Sequence, residues 1–82
     1  MKIKGIEVPE KAIFAAECRM EQAEFDAQAI RAALMDPIMQ ANVAARRESY
    51  DIVDFAATRL ITLWAKQGRI KKVAGTRRWK AA

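Results

Sequence analysis

Histidine is absent from this 82-residue chain, cysteine occurs once, and there are only two prolines and three glycines. Each scarcity narrows what the chain can do. Without histidine, Cys18 lacks the usual base partner of a thiol nucleophile, and a lone cysteine closes no intramolecular disulfide. Cys18 therefore reads as a core or helix-face residue. Gly5, Gly68 and Gly75 are too scattered for a phosphate-cradling loop. No cysteine or carboxylate pair has convincing metal-ligand spacing. The expectation is a protein that is not an enzyme and uses no metal or cofactor.

Long apolar runs are missing as well. Met1-Lys-Ile-Lys-Gly resembles the start of a signal peptide, but Glu7, Pro9, Glu10 and Lys11 occupy the stretch that should be apolar. No uncharged run approaches the ~20 residues of a membrane span. These features lead to the expectation of a soluble, cytoplasmic protein. The length suits a single domain covering residues 1–82, and the scarcity of glycine and proline favours helices.

Acidic residues are lacking at one end. Residues 1–48 carry seven basic and eight acidic side chains, whereas residues 49–82 carry eight basic and two acidic ones. From Lys66 onward there are seven basic residues and no acid. The net charge of +5 is thus concentrated in the C-terminal part. Such asymmetry points to a polyanionic partner.

The pattern along the chain predicts a short N-terminal strand over residues 2–8, weakened by Gly5. Pro9 fits a first helical position. A helix over about 10–20 then uses Ile13, Phe14, Ala16, Cys18 and Met20 as its apolar side. Asp26 is a favoured N-cap for a second helix containing Ala27, Ile30 and Leu34, with Phe25 and Ile30 at the two positions of a hydrophobic staple. Asp36-Pro37 should break this helix. Residues 37–48, with Ile38, Met39 and Val43 as apolar anchors, fit either a short helix or an ordered loop.

A long helix is expected over about 50–67. Asp51, Asp54, Thr58, Thr62 and Lys66 trace one narrow polar stripe on it. Ile52, Val53, Phe55, Ala56, Leu60, Ile61, Leu63 and Trp64 fill the remainder, so this is the element others pack against. Gly68 suits the left-handed position after the helix, with Ile70 close behind for an apolar contact. Residues 69–80 then read as a basic hairpin, with a type I turn at Ala74-Gly75 and Gly75 in a left-handed bulge. Trp64 belongs in the core. Trp79 suits either closure of the core beneath the hairpin or a surface anchor.

Two segments, Phe25 through Leu34 and Leu60 through Trp79, together with the order of elements, resemble the winged helix-turn-helix family. In the second segment Leu63, Lys66, Gly68, Ile70 and Val73 fit the passage from long helix through glycine to first wing strand. The fold this implies is mainly α with a small antiparallel β-sheet (α+β): three or four helices plus a C-terminal β-hairpin wing. The function implied is binding of double-stranded DNA by a small bacterial or phage regulator or accessory factor. On that resemblance the start of the long helix meets the major groove with Arg46, Arg47, Ser49 and Tyr50. Ser49 would cap the helix onto a phosphate, and Arg46 and Arg47 would bind phosphate or guanine edges. The wing would supply Lys71, Lys72, Arg77, Arg78 and Lys80, and Arg59, Lys66 and Arg69 complete the basic set.

Asp51 and Asp54 would also face the duplex, which favours an alternative: a winged scaffold serving as a protein-interaction module without DNA binding. A homodimer is compatible with the chain, although no dimerisation segment is evident. A basic amphipathic helix over 59–80 lying on a membrane is opposed by Gly68, Gly75 and the β-branched residues after Gly68.

Overall fold

The computed structural model describes residues 1–42 and 44–82. Val43, expected to be an apolar anchor, lies outside the described residues. Among the described residues the chain is mainly helical, with two small antiparallel sheets.

The N-terminal segment reverses on itself. β1 (Lys2–Ile3) pairs antiparallel with β2 (Ile6–Glu7), with Ile3 opposite Ile6. Lys4 and Gly5, at φ 51° and 79°, form the turn between them. Positive φ at both central residues is the geometry that matches the twist of a two-residue hairpin. Gly5 is therefore the turn of a hairpin, not a weak point in one strand. The reversal lets both Ile3 and Val8 reach the core.

α1 (Glu10–Gln22) follows Pro9, which is the N-cap and not the first helical residue. Its buried positions are Ala12, Ala16 and Met20, spaced four apart, with Ile13 half-buried beside them. Phe14, expected on the apolar side, is 68% exposed, and Cys18, read as a core or helix-face residue, lies exposed on the helix surface. Two residues along a helix turn through ~200°, so a face built on Ala12 and Ala16 sends Phe14 and Cys18 outward.

α2 (Ala27–Ala41) begins as expected: the Asp26 carboxylate accepts from the Ala29 N–H at 2.9 Å. Phe25 and Ile30 are both buried. The expected break at Asp36-Pro37 does not occur, because α2 runs through Pro37. Ile30, Leu34 and Ile38 are all fully buried in one line. Seating Ile38 in that line outweighs the loss of the hydrogen bond that Pro37 cannot donate. The helix stops at Asn42, whose left-handed conformation (φ 52°) directs its N–H to the Met39 carbonyl. Residues 37–41 are therefore the end of α2.

α3 (Arg46–Lys66) starts one turn earlier than expected. Ser49, Ile52, Val53, Ala56, Ala57, Leu60, Ile61 and Trp64 form its buried side at steps of three and four. The Trp64 and Phe25 rings meet edge to face, 6.2 Å between centroids. Phe55 and Leu63, expected to be buried, are 52% and 41% exposed. Gly68 (φ 72°) follows the Gln67 C-cap. The Gly68 N–H donates to the Ala65 carbonyl and the Arg69 N–H to the Trp64 carbonyl, the paired bonds of a Schellman ending. Ile70 is buried just beyond.

β3 (Ile70–Lys72) and β4 (Trp79–Ala81) form the C-terminal hairpin, with Lys71 opposite Lys80 and Lys72 opposite Trp79. Val73 accepts from the Thr76 N–H at 3.2 Å, and Gly75 has φ 75°. Positive φ at the third residue of that turn, with Ala74 not positive, is a type II requirement and replaces the expected type I turn. Trp79 also exchanges two backbone hydrogen bonds with Phe25, at 2.9 and 2.7 Å. The α1–α2 link is thereby fastened to the outer edge of the hairpin, and Trp79 is half-buried against the core.

α2 packs against both α1 and α3. The molecule measures 38 × 19 × 19 Å. At ~1.5 Å per residue α3 is roughly 31 Å long, so it can only lie along the long axis. No helix among the described residues is long and apolar enough to cross a membrane.

Candidate nucleic-acid interface

The twelve basic and polar positions suggested by the sequence fall into three places. The start of α3 carries Arg46, Arg47, Ser49 and Tyr50. Arg46 and Arg47 are its exposed first two residues, and the Arg46 Nε donates to the Tyr50 hydroxyl at 3.3 Å. Ser49 does not belong to a surface site: it is 2% exposed, and its hydroxyl faces the Ala44 carbonyl at 3.4 Å. The earlier helix start explains this. With Ala45 as N-cap, Ser49 is the fourth helical residue and turns inward. Asp51 lies 3.8 Å from Lys4, and Asp54 lies 3.7 Å from Arg31. Both acids are thus matched within the chain, and this end of the molecule is of mixed sign.

The second place is the C-terminal hairpin, at the other end of α3. Arg46 and Lys66 are separated by roughly 30 Å along the helix. Two hairpin-side cations are held by acids of the α1 region: Arg69 donates to Glu17 at 3.0 Å, and Arg78 lies 3.8 Å from Glu24. Lys72 stacks over the Trp79 ring, 4.7 Å from its centroid. Lys71, Arg77 and Lys80 are exposed and have no acidic partner among the described residues.

Lys71 and Lys80 are directly opposed across the ladder, so their side chains emerge on the same face. Ile70, one residue away on β3, is buried. Alternation along a strand therefore directs Lys71 and Lys80 away from the core. Like charges in this position destabilise a hairpin unless something anionic lies over them. Arg77 follows the turn at the tip, where Thr76 orders the backbone by donating to the Val73 carbonyl and accepting from the Arg78 N–H.

The third place holds Arg59 and Lys66. They line a groove of about 610 Å³ between α3 and the N-terminal hairpin. Arg59 donates to the Lys2 carbonyl at 2.8 Å. Ile3, Lys4, Phe55, Thr58, Thr62 and Leu63 complete the lining. The sequence reading missed this groove, although a signal was present. Phe55 and Leu63, eight residues apart, fall on the same helix face as Thr58, Thr62 and Lys66.

No protein-family model, curated protein or solved structure matches the chain. Among the described residues no group of three or more cysteines and carboxylates is placed to hold a metal ion.

Proposed function

We propose that this chain binds double-stranded DNA as a small winged-helix-type protein, with its C-terminal hairpin as the principal contact. The observation that carries the reading is the opposed Lys71–Lys80 pair on the outer face of an acid-free hairpin, with Arg77 at its tip. Three features support the winged assignment. A glycine-terminated long helix leads into the hairpin, Arg77 and Arg78 follow its turn, and Phe25 bridges to Trp79 at its outer edge. A bacterial or phage regulator or accessory factor is the corresponding role.

Phosphate neutralisation supplies the affinity. The separation of Arg46 and Arg47 from the hairpin favours sequence-tolerant binding over joint reading of one groove. The test is titration of the chain into a labelled random-sequence duplex at several salt concentrations. With Lys71, Arg77 and Lys80 engaged, log affinity falls with log salt at a slope of about −3. A slope near zero, or no binding at low salt, overturns the reading. That outcome would favour a protein-interaction module, for which the groove beside α3 is the supporting observation.

A further inference from the structure

We propose that the groove beside α3 receives the outer face of α1 from a second copy of this chain, so that copies join head to tail. The groove's floor is apolar, from Ile3, Phe55 and Leu63, and its three charged lining residues are Lys4, Arg59 and Lys66. No acid lines it among the described residues. Lys66 has no ion-pair partner among them, and Arg59 uses only one terminal nitrogen on the Lys2 carbonyl. Lys4 lies over the Phe55 ring at 4.8 Å and is shared with Asp51. An occupant must therefore bring an apolar anchor flanked by carboxylates.

The outer face of α1 has that composition. Phe14 is the most exposed large apolar side chain of the described residues. Glu10 lies one turn before it and Glu21 two turns after it, and both are exposed. Glu17, on the same side, is half-buried and already holds Arg69. Lys11 is the cation on this flank.

The lengths agree as well. Glu10 to Glu21 and Phe55 to Lys66 each span eleven helical steps, roughly 16 Å. Phe14 can thus reach the Phe55–Leu63 floor while acids at the two ends of the helix face cations at the two ends of the groove. The donor and acceptor faces lie on different helices, so the contact is heterologous and repeats from copy to copy. Arg59 and Lys66 then serve this contact instead of DNA, and the inference does not depend on the hairpin binding phosphate.

The test is sedimentation velocity on the full chain, on Phe14→Asp, on Leu63→Asp and on an equimolar mixture of the two variants. Both substituted residues are exposed, and a thermal melt checks that each variant is folded. The wild-type chain should grow in mass with concentration, less so in high salt. Each variant alone should remain monomeric. The mixture should give a one-to-one dimer that grows no further, because each variant retains the face the other lacks.

A monomeric wild type at every concentration overturns the proposal. So does Phe14→Asp that still self-associates while Leu63→Asp does not, which would mean that the groove meets itself. Should either Asp variant fail to fold, Glu21→Lys and Lys66→Glu replace them. Each alone should weaken self-association relative to the wild-type chain. Unchanged association in both overturns the proposal.

Discussion

Reversing the charge of Lys80 should make the protein more stable and a poorer DNA binder at once. Lys80 is directly opposite Lys71, both are exposed, and the hairpin around them has no acid. A cross-strand pair contributes ~0.2–1 kcal/mol according to its signs. Lys80→Glu removes a repulsion and adds an attraction. Solvent exposure screens both, leaving a gain of about 0.5 kcal/mol at low salt. For a domain of this size that gain raises the melting temperature by about 2–4 °C. The gain should fade in high salt, where charges are screened within ~3 Å at 1 M. In the duplex titration the same variant loses one phosphate contact, so the salt slope becomes less negative by about 1. Paired thermal melts and anisotropy titrations check both signs. Lower stability at low salt, or an unchanged salt slope, would refute the reasoning that this pair is kept for an anionic ligand.

Two other substitutions examine the structural corrections. Pro37→Ala should stabilise the fold by about 1–3 kcal/mol, measured by urea denaturation, because Pro37 sits inside α2 and alanine restores the missing donor. Ser49→Ala should lower stability by about 1 kcal/mol and leave duplex affinity unchanged, since the hydroxyl is buried against the Ala44 carbonyl.

The features legible in the sequence were those decided within one turn of chain. Asp26 caps α2 because a short carboxylate at that position reaches an orphan N–H. Gly68 ends the long helix because a positive φ is cheap there. The basic hairpin follows from β-branched residues after a glycine. Features set by packing were not legible. Pro37 carries a local penalty that only the buried line of Ile30, Leu34 and Ile38 offsets. Phe14 looked like core by its chemistry, whereas α1 buries Ala12 and Ala16, small residues that give little signal of their own. Ser49 looked like a cap until the helix start moved back to Arg46. The division of the candidate site was not legible either, because the relative positions of Arg46, the groove and the hairpin depend on the whole length and direction of α3. Composition alone showed that the C-terminal part is basic, but not that Arg69 and Arg78 are held by Glu17 and Glu24.

The most direct measurement is an amide chemical-shift map of the chain with random-sequence duplex at two salt concentrations. Perturbations should concentrate on residues 70–81, strengthen as salt is lowered, and leave residues 46–50 little affected. Shifts confined to the start of α3, or spread evenly over the surface at both salts, would contradict the assignment of the hairpin as the phosphate-binding face.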